Sequence, residues 1–205
     1  MDLLGCTAVG CFWAPSEALL AVDGVAATRC GYAGAAFPGA KPSYASVCGG
    51  DGNVEAVRVT YDDAVVSFEG VLDAAFDAAK PVPGSRQYAP VVFARDAAEA
   101  ARAEAWIAGG GARADGLERR AFGVETAREF WVAESYHQDY WQRWRPRAGL
   151  VLGLVALQFS PVLDRAGDDA CAAVGGLVGL SFVLERVFGG AVAPGDDDDD
   201  PPESS

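Results

Sequence analysis

The chain has 205 residues, 51% of them hydrophobic, and a formal net charge of −13. This length and composition suffice for one well-buried domain with an extension, and they exclude a chain that is disordered throughout. Much of the charge comes from the aspartate run at 196–200, and because an acidic surface repels phosphate backbones, nucleic acid is not an expected partner.

Hydrophobic periodicity predicts a series of short strands. The clearest covers 54–61, where Val alternates with polar residues in the period-two pattern of a half-buried strand. Apolar runs with similar signals predict further strands at 3–9, 25–32, 87–93, 121–126 and 130–132.

Helices are predicted between these strands. Pro15 marks a helix start near the N-terminus, because proline is favoured in the first turn. Apolar residues at helical spacing predict a second helix over 66–80, and a capping-box signal at Asp96 predicts a third that reaches Ala108. Strands with helices between them and mixed connection lengths indicate an α+β fold, a two-layer sandwich with a mixed central sheet.

Two apolar stretches, 148–163 and 170–184, follow. Each has about fifteen residues, short of the roughly twenty that cross a bilayer as a helix. The sequence therefore predicts a pair of helices that pack on the domain. A membrane-associated hairpin is the alternative, because three arginines stand just before the first stretch, at Arg143, Arg145 and Arg147.

The cysteine pattern and the N-terminus indicate a reducing compartment. Five cysteines, at positions 6, 11, 30, 48 and 171, form no Cys-x-x-Cys pair and no zinc-finger spacing. We therefore expect neither a disulfide framework nor a metal site. The N-terminus shows no basic or Arg-rich targeting pattern, so a cytoplasmic location is expected.

Cys11 is the candidate nucleophile. It is followed directly by Phe12 and Trp13, and then by the predicted helix start. At a helix N-terminus, unpaired N–H groups and the helix dipole favour the thiolate, which is the reactive form of cysteine. The alternative is a buried cysteine beside core aromatic residues.

Several short motifs after Cys11 carry a family resemblance. They are Gly31-Tyr32-Ala33-Gly34, Lys41-Pro42-Ser43-Tyr44, Gly50-Asp51-Gly52-Asn53-Val54-Glu55, Gln87-Tyr88 and Tyr136-His137-Gln138. In order and spacing they resemble the A-type peptide methionine sulfoxide reductases, which reduce the S epimer of methionine sulfoxide. The resemblance implies the same α+β fold and a catalytic domain over 1–145. A helical extension at 146–190 and a disordered acidic tail at 191–205 are expected to follow.

The resemblance also implies a reaction and its residues. Cys11 attacks the sulfoxide sulfur while an acid protonates the oxygen, which leaves a thioether and a sulfenic acid. Glu55 is the expected acid, because desolvation on an apolar strand raises the pKa of a carboxyl group. The phenols of Tyr44 and Tyr88 would hydrogen-bond the sulfoxide oxygen. Phe12 and Trp13 would enclose the S-methyl group.

Tyr32 and His137 are expected to support this site. Tyr32 stands in the Gly31-Tyr32-Ala33-Gly34 turn and is expected to shape the backbone. His137 is the single histidine of the chain, and we expect it to pack or hydrogen-bond near the site and not to perform catalysis.

The chain departs from the family pattern around Tyr88. The loop at 81–86 is short and lacks the aspartate that the family carries there, and Gln87-Tyr88 is followed by Ala89-Pro90 where the family has Arg-Ser. Earlier in the chain, Asn53 replaces a usual histidine and Ala35 a usual glycine. These departures leave open an alternative function, a binding module that recognises oxidised methionine without turning it over.

Recycling of the sulfenic acid needs a second thiol. Cys171 is the candidate resolving cysteine, and Cys48 is the alternative. If neither resolves, an external thiol such as thioredoxin, glutaredoxin or glutathione attacks the sulfenic acid directly. We expect no metal and no organic cofactor, thioredoxin as the external reductant, and oxidised proteins or free methionine sulfoxide as substrates.

Overall fold

The computed structural model describes residues 2–35 and 41–158, together with positions 176 and 179. The chain divides into two units, the first ending at Gln138 and the second beginning at Asp139. In the described part of the second unit, one helix, α5, covers Tyr140–Gln158. No described helix is long and apolar enough to cross a membrane.

The first unit is built on one mixed sheet with strand order β5-β4-β1-β3-β2-β6. Only the β4–β5 pair is parallel among these strands, and the other neighbours are antiparallel. The strands are β1 (Asp2–Val9), β2 (Val25–Ala33), β3 (Val54–Asp62), β4 (Pro90–Ala94), β5 (Gly123–Thr126) and β6 (Phe130–Val132). The helices of this unit are α1 (Trp13–Leu20), α2 (Tyr44–Cys48), α3 (Phe68–Ala78) and α4 (Ala97–Ala108), with 3-10 turns at Arg119–Ala121 and Ser135–His137.

The central strand β3 is buried on both faces over its first half. The sequence predicts a half-buried strand, but all four residues from Val54 to Val57 are buried. Val57 packs in the larger core with residues of α1, α3 and α4, whereas Val54 and Ala56 belong to a second apolar cluster on the opposite face. Because successive side chains alternate between faces, Glu55 lies on the same face as Val57.

Local cap and turn chemistry sets several element boundaries. Ser67 caps α3, its hydroxyl accepting from the Gly70 N–H at 3.1 Å, so this helix begins later than the apolar pattern of 66–80 predicts. Asp96 caps α4 as predicted, accepting from the Glu99 N–H at 2.8 Å.

The predicted strand over 87–93 is wrong at its start, since β4 begins at Pro90. Gln87 and Tyr88 stand in a turn that is closed by the Ala89 N–H donating to the Arg86 carbonyl at 3.0 Å. The Gln87 carbonyl accepts from the Glu55 N–H at 2.9 Å, outside the strand ladder of β4. The turn therefore places Gln87 and Tyr88 beside the start of β3.

The predicted C-terminal elements lie mostly outside the described residues. The structure confirms a helix over the first part of the 148–163 stretch, because α5 reaches Gln158. Apart from positions 176 and 179, everything after Gln158 falls beyond the described range. The helix pair, the extension at 146–190 and the disordered tail at 191–205 stay predictions.

Candidate functional site

Cys11 lies at the junction between β1 and α1, and Gly10 makes this junction possible. Gly10 has φ +99° and bridges to Lys80, and a Cβ built on it would lie 2.1 Å from the Lys80 carbonyl oxygen. Only glycine accepts both the left-handed backbone and this close approach. Phe12 is the N-cap of α1, so Cys11 directly precedes the helix, as the sequence predicts.

The Cys11 thiol nevertheless has a raised pKa, which contradicts the expectation of a favoured thiolate. Burial is the largest cause and raises the pKa, whereas the hydrogen bond from the Trp13 backbone N–H lowers it by less. The Glu55 carboxylate raises the pKa further, and Lys80 opposes it with the smallest effect. The helix start acts in the predicted direction, but burial outweighs it, so Cys11 rests as a thiol.

Glu55 faces the residue that follows Cys11. Its side chain is buried, one oxygen accepts from the Phe12 backbone N–H at 3.2 Å, and the other accepts from Gln87 Nε2 at 2.7 Å. Burial raises the pKa of Glu55, and hydrogen bonds from Gln87, Phe12 and Tyr88 offset only part of the rise. The direction agrees with the expectation, and such a carboxyl can hold a proton closer to neutral pH than a solvated glutamate.

The phenols of Tyr44 and Tyr88 meet beside this carboxyl. Tyr88 lies close enough to Tyr44 to raise the pKa of Tyr44, and close enough to Glu55 to lower the pKa of that carboxyl. Burial is the first cause that raises the pKa of both tyrosines, so both phenols keep their protons at neutral pH and remain donors. The Cys48 thiol lies against Tyr44 and accepts from Gln87 Nε2 at 3.4 Å.

The two aromatic residues of the predicted methyl pocket differ in exposure. Phe12 is 1% exposed and packs on Tyr32, with ring centroids 6.1 Å apart. Trp13 is partly exposed and lies 6.4 Å from Phe12 between ring centroids. Its indole Nε1 donates to His137 Nδ1 at 3.2 Å. Of the two rings, Trp13 thus offers the more accessible surface beside Cys11.

Glu134 is a site residue that the sequence reasoning left without a role. One carboxylate oxygen accepts from the Tyr44 backbone N–H at 2.8 Å, and the other accepts from the Tyr32 phenol at 2.7 Å. Burial by itself raises the pKa of Glu134, but these two hydrogen bonds hold it below its usual range. The anion fixes the start of α2 on β2. Tyr32 lies within β2 and not in the predicted turn, and its contact with Glu134 is made by its phenol.

Gln138 fixes the turn that carries His137. Its amide exchanges two hydrogen bonds with the backbone of Cys30, accepting from the N–H at 3.0 Å and donating to the carbonyl at 2.9 Å. The side chain thus pairs with β2 as a neighbouring strand would. In the Tyr136-His137-Gln138 motif, Gln138 therefore anchors the turn to β2. His137 packs near the site, in agreement with the expectation.

The short loop before Tyr88 is anchored by Arg86. The guanidinium donates to both carboxylate oxygens of Glu125, at 2.7 and 2.9 Å, and to the Gly52 carbonyl at 3.1 Å. Arg86 therefore ties the Tyr88 turn to β5 and to the loop before β3. Bidentate pairs of this kind fix geometry better than single contacts.

The remaining predicted site residues are placed as follows. The Cys30 thiol is buried and the Cys48 thiol is exposed. Cys171 lies outside the described residues. Over 2–35 and 41–158, no cluster of three or more His, Cys, Asp or Glu side chains could hold a metal ion.

The geometry defines a class of protein. A partly buried thiol, a protonatable carboxyl and two phenol donors suit a cysteine-based oxidoreductase, because thiol sulfur can accept an oxygen atom while the donors stabilise its transfer. A sequence model of the peptide methionine sulfoxide reductase family matches residues 5–150. The chain belongs to this family.

Individual relatives agree with this assignment. The peptide methionine sulfoxide reductase MsrA of Methanoculleus marisnigri is 36% identical over 144 residues, which are 65% of this chain and 85% of the relative. That of Methanosarcina acetivorans is 36% identical over 146 residues, 66% of this chain and 76% of the relative. The crystal structure of reduced Mxr1 from Saccharomyces cerevisiae superposes with a TM-score of 0.53 at 25% identity, over 69% of this chain and 85% of that one.

These findings confirm the predicted family and the α+β fold. The protein is an oxidoreductase that reduces methionine sulfoxide.

Proposed function

We propose that Cys11 carries out this reduction on the S epimer of methionine sulfoxide. The Cys11 sulfur attacks the sulfoxide sulfur, and the oxygen passes to Cys11. The substrate sulfur is reduced by two electrons and leaves as a thioether, while the Cys11 sulfur is oxidised by two electrons to a sulfenic acid. No metal and no organic cofactor takes part in this step.

Glu55 supplies the proton in this proposal. The thiol of Cys11 loses one proton during attack and the sulfoxide oxygen gains one, so no net proton is consumed in forming the sulfenic acid. A buried carboxyl with a raised pKa suits this transfer, since it can both hold and return a proton. The observation that carries the proposal is the contact between Glu55 and the Phe12 N–H, directly after the nucleophile.

Tyr44 and Tyr88 stabilise the developing charge on the sulfoxide oxygen. The two phenols lie close enough to influence each other, and Tyr88 also influences Glu55, which supports their placement around one substrate atom. A sulfoxide oxygen bound between these phenols would receive donors held in place by the protein, which is the principle of an oxyanion hole. Phe12 and Trp13 would hold the S-methyl group and exclude water.

Single-turnover chemistry with separated epimers tests this function. Reduced protein is mixed with the S or the R epimer of methionine sulfoxide in peptide form, and methionine is counted per protein. We expect one equivalent from the S epimer and none from the R epimer, because the methyl pocket fixes which face of sulfur meets Cys11. Equal use of both epimers would contradict the proposed pocket. Binding of the S epimer without formation of methionine would favour the binding-module alternative.

The regeneration step is also proposed. The Cys171 thiol attacks the Cys11 sulfenic acid, which forms a disulfide and releases water, and thioredoxin then reduces that disulfide. Glutaredoxin or glutathione could supply the electrons in the same way. The proposed setting is the cytoplasm, with oxidised proteins or free methionine sulfoxide as substrates and with residues 1–145 as the catalytic domain.

We expect Cys171→Ser to keep its rate with a small dithiol and to lose most of its rate with thioredoxin. A small thiol can attack the sulfenic acid directly, whereas thioredoxin acts best on a disulfide between two enzyme cysteines. Steady-state turnover with each reductant measures this. Cys48→Ser is the matched control, because Cys48 is exposed beside Tyr44.

Unchanged rates of Cys171→Ser with both reductants would remove Cys171 from the mechanism. The same selective loss in Cys48→Ser would instead assign resolution to Cys48. Loss with both reductants would indicate that residue 171 is needed for the fold.

A further inference from the structure

We propose that His137 is a positioning residue that orients the Trp13 indole and thereby sets the selectivity of the pocket for a methyl group. The inference rests on the proposed function, in which Trp13 contacts the S-methyl group of the substrate. It assigns to His137 a role in specificity through Trp13 and no contact with the reacting atoms.

The hydrogen bond between the two side chains fixes the state of the imidazole. Trp13 Nε1 donates to His137 Nδ1 at 3.2 Å across 124 residues of sequence. Because indole nitrogen can only donate, Nδ1 must be the unprotonated acceptor, and the ring is the neutral tautomer with its proton on Nε2. Burial lowers the pKa of His137, with Glu134 opposing by a smaller amount, which agrees with a neutral ring.

Packing fixes the position of the His137 imidazole beside the Trp13 indole. His137 is 2% exposed, and its ring lies 4.9 Å from Phe12, 4.9 Å from Tyr44 and 4.2 Å from Tyr136 between centroids. Gln138 ties the same turn to the backbone of β2. The acceptor nitrogen is therefore fixed, whereas Trp13 is a partly exposed side chain at the first position of α1.

The orientation of Trp13 matters because a methyl pocket must be tight to be selective. One added methylene changes discrimination in an apolar pocket by roughly 10-fold to 200-fold. If the acceptor is lost, the indole N–H turns toward water and the ring leaves its position beside Cys11. A longer alkyl group then fits as well as methyl does. His137 should thus affect the ratio of kcat/KM between methyl and ethyl sulfoxides.

The test compares His137→Leu with His137→Asn. Asparagine and leucine are similar in size, but only asparagine offers an acceptor near the position of Nδ1. The substrates are the S-sulfoxides of methionine and ethionine. In His137→Leu we expect KM for methionine sulfoxide to rise about 10-fold with kcat changed less than about 3-fold, and the methyl preference to fall about 10-fold. His137→Asn should keep the preference within about 3-fold of the parent.

A double-mutant cycle with Trp13→Phe separates positioning from packing. Phenylalanine keeps a ring but has no N–H, so His137→Leu should not change the methyl preference further in that background. An equal effect of His137→Leu in both backgrounds would overturn the proposal, and so would an unchanged preference in the single variant. Equal loss in His137→Asn and His137→Leu would also overturn it.

Hydrogen exchange of the Trp13 indole N–H, assigned by its absence in Trp13→Phe, gives a readout that needs no turnover. We expect slow exchange in the parent and in His137→Asn, and fast exchange in His137→Leu. A parent that does not reduce the S epimer would refute the proposed function while this exchange measurement still tests the contact. A parent that reduces the S epimer but shows equal exchange in all three proteins would refute the positioning role alone.

Discussion

Replacing Cys11 by serine should abolish reduction of methionine S-sulfoxide to the limit of detection. A serine hydroxyl is a far weaker nucleophile than a thiol unless a neighbouring base activates it, and it cannot accept the oxygen atom as a sulfenic acid. The charged groups that act on the Cys11 thiol pKa are Glu55 and Lys80. Neither forms the paired base and orienting group that a reactive serine needs.

The measurement is methionine formed in a single turnover, together with trapping of the sulfenic acid by a dimedone-type probe. Cys11→Ser should give neither signal, although its fold and its binding of the substrate are retained. Cys48→Ser is the matched control, since it makes the same exchange at an exposed thiol beside the site, and it should give both signals. Methionine formation by Cys11→Ser near the parent rate would show that another residue is the nucleophile.

The sequence predicts the fold and the position of Cys11 before a helix because both depend on local patterns. Cys11 stands between an apolar strand and a proline-marked helix start, and the structure places β1 and α1 on either side of it. Glu55 belongs to an alternating strand and lies on the helix-covered face of the sheet. These features follow from periodicity and cap signals within about ten residues, which is the range over which such patterns are informative.

The pKa of Cys11 could not be predicted in the same way. The helix start is visible in the sequence, but the burial that outweighs it comes from tertiary packing, and the opposing carboxylate of Glu55 lies on another strand. The same limit applies to Glu134, whose contact with the Tyr44 N–H spans 90 residues. A single sequence contains no signal that pairs two such positions.

The start of β4 shows a different limit. Gln87 and Tyr88 directly precede the apolar run that leads to Phe93, and the sequence therefore predicts that they belong to the strand. A tertiary contact overrides this preference, because the Gln87 carbonyl bonds to the Glu55 N–H and the chain turns at Ala89. The residues that break the local rule are those that face the candidate site, as expected where function constrains the backbone.

Replacing Glu55 by glutamine should lower the rate of reduction by roughly 100-fold or more, the usual scale for loss of a general acid. The amide is nearly isosteric and can still accept from the Phe12 N–H, and the Gln87 amide can rotate to accept from the new amino group. The fold and the affinity for the sulfoxide should therefore persist, and the loss should appear in kcat. Retention of the parent rate between pH 6 and 8 would indicate that Tyr44 or Tyr88 delivers the proton.

The pH dependence of the reduction rate provides a second, independent test of this prediction. In the parent, Cys11 must be deprotonated and Glu55 protonated, and the pKa of each group is raised. The rate should rise with pH as the Cys11–Glu55 pair loses its first proton, and fall again at higher pH as the pair loses its second. In Glu55→Gln the fall at high pH should disappear, because no titrating acid remains, and the slow residual rate should follow Cys11 ionisation alone.

The same variant should also lower the pKa of Cys11, because the Glu55 carboxylate raises it in the parent and glutamine carries no charge. The rate of iodoacetamide alkylation at Cys11, followed against pH by peptide mass spectrometry, measures this pKa apart from turnover. We expect the alkylation midpoint to shift to lower pH in Glu55→Gln while turnover collapses. This combination would show that the Glu55 carboxyl raises the thiol pKa and is nevertheless needed for turnover as the proton donor. An unshifted midpoint would contradict the electrostatic contact between Cys11 and Glu55 on which the proposed proton transfer depends.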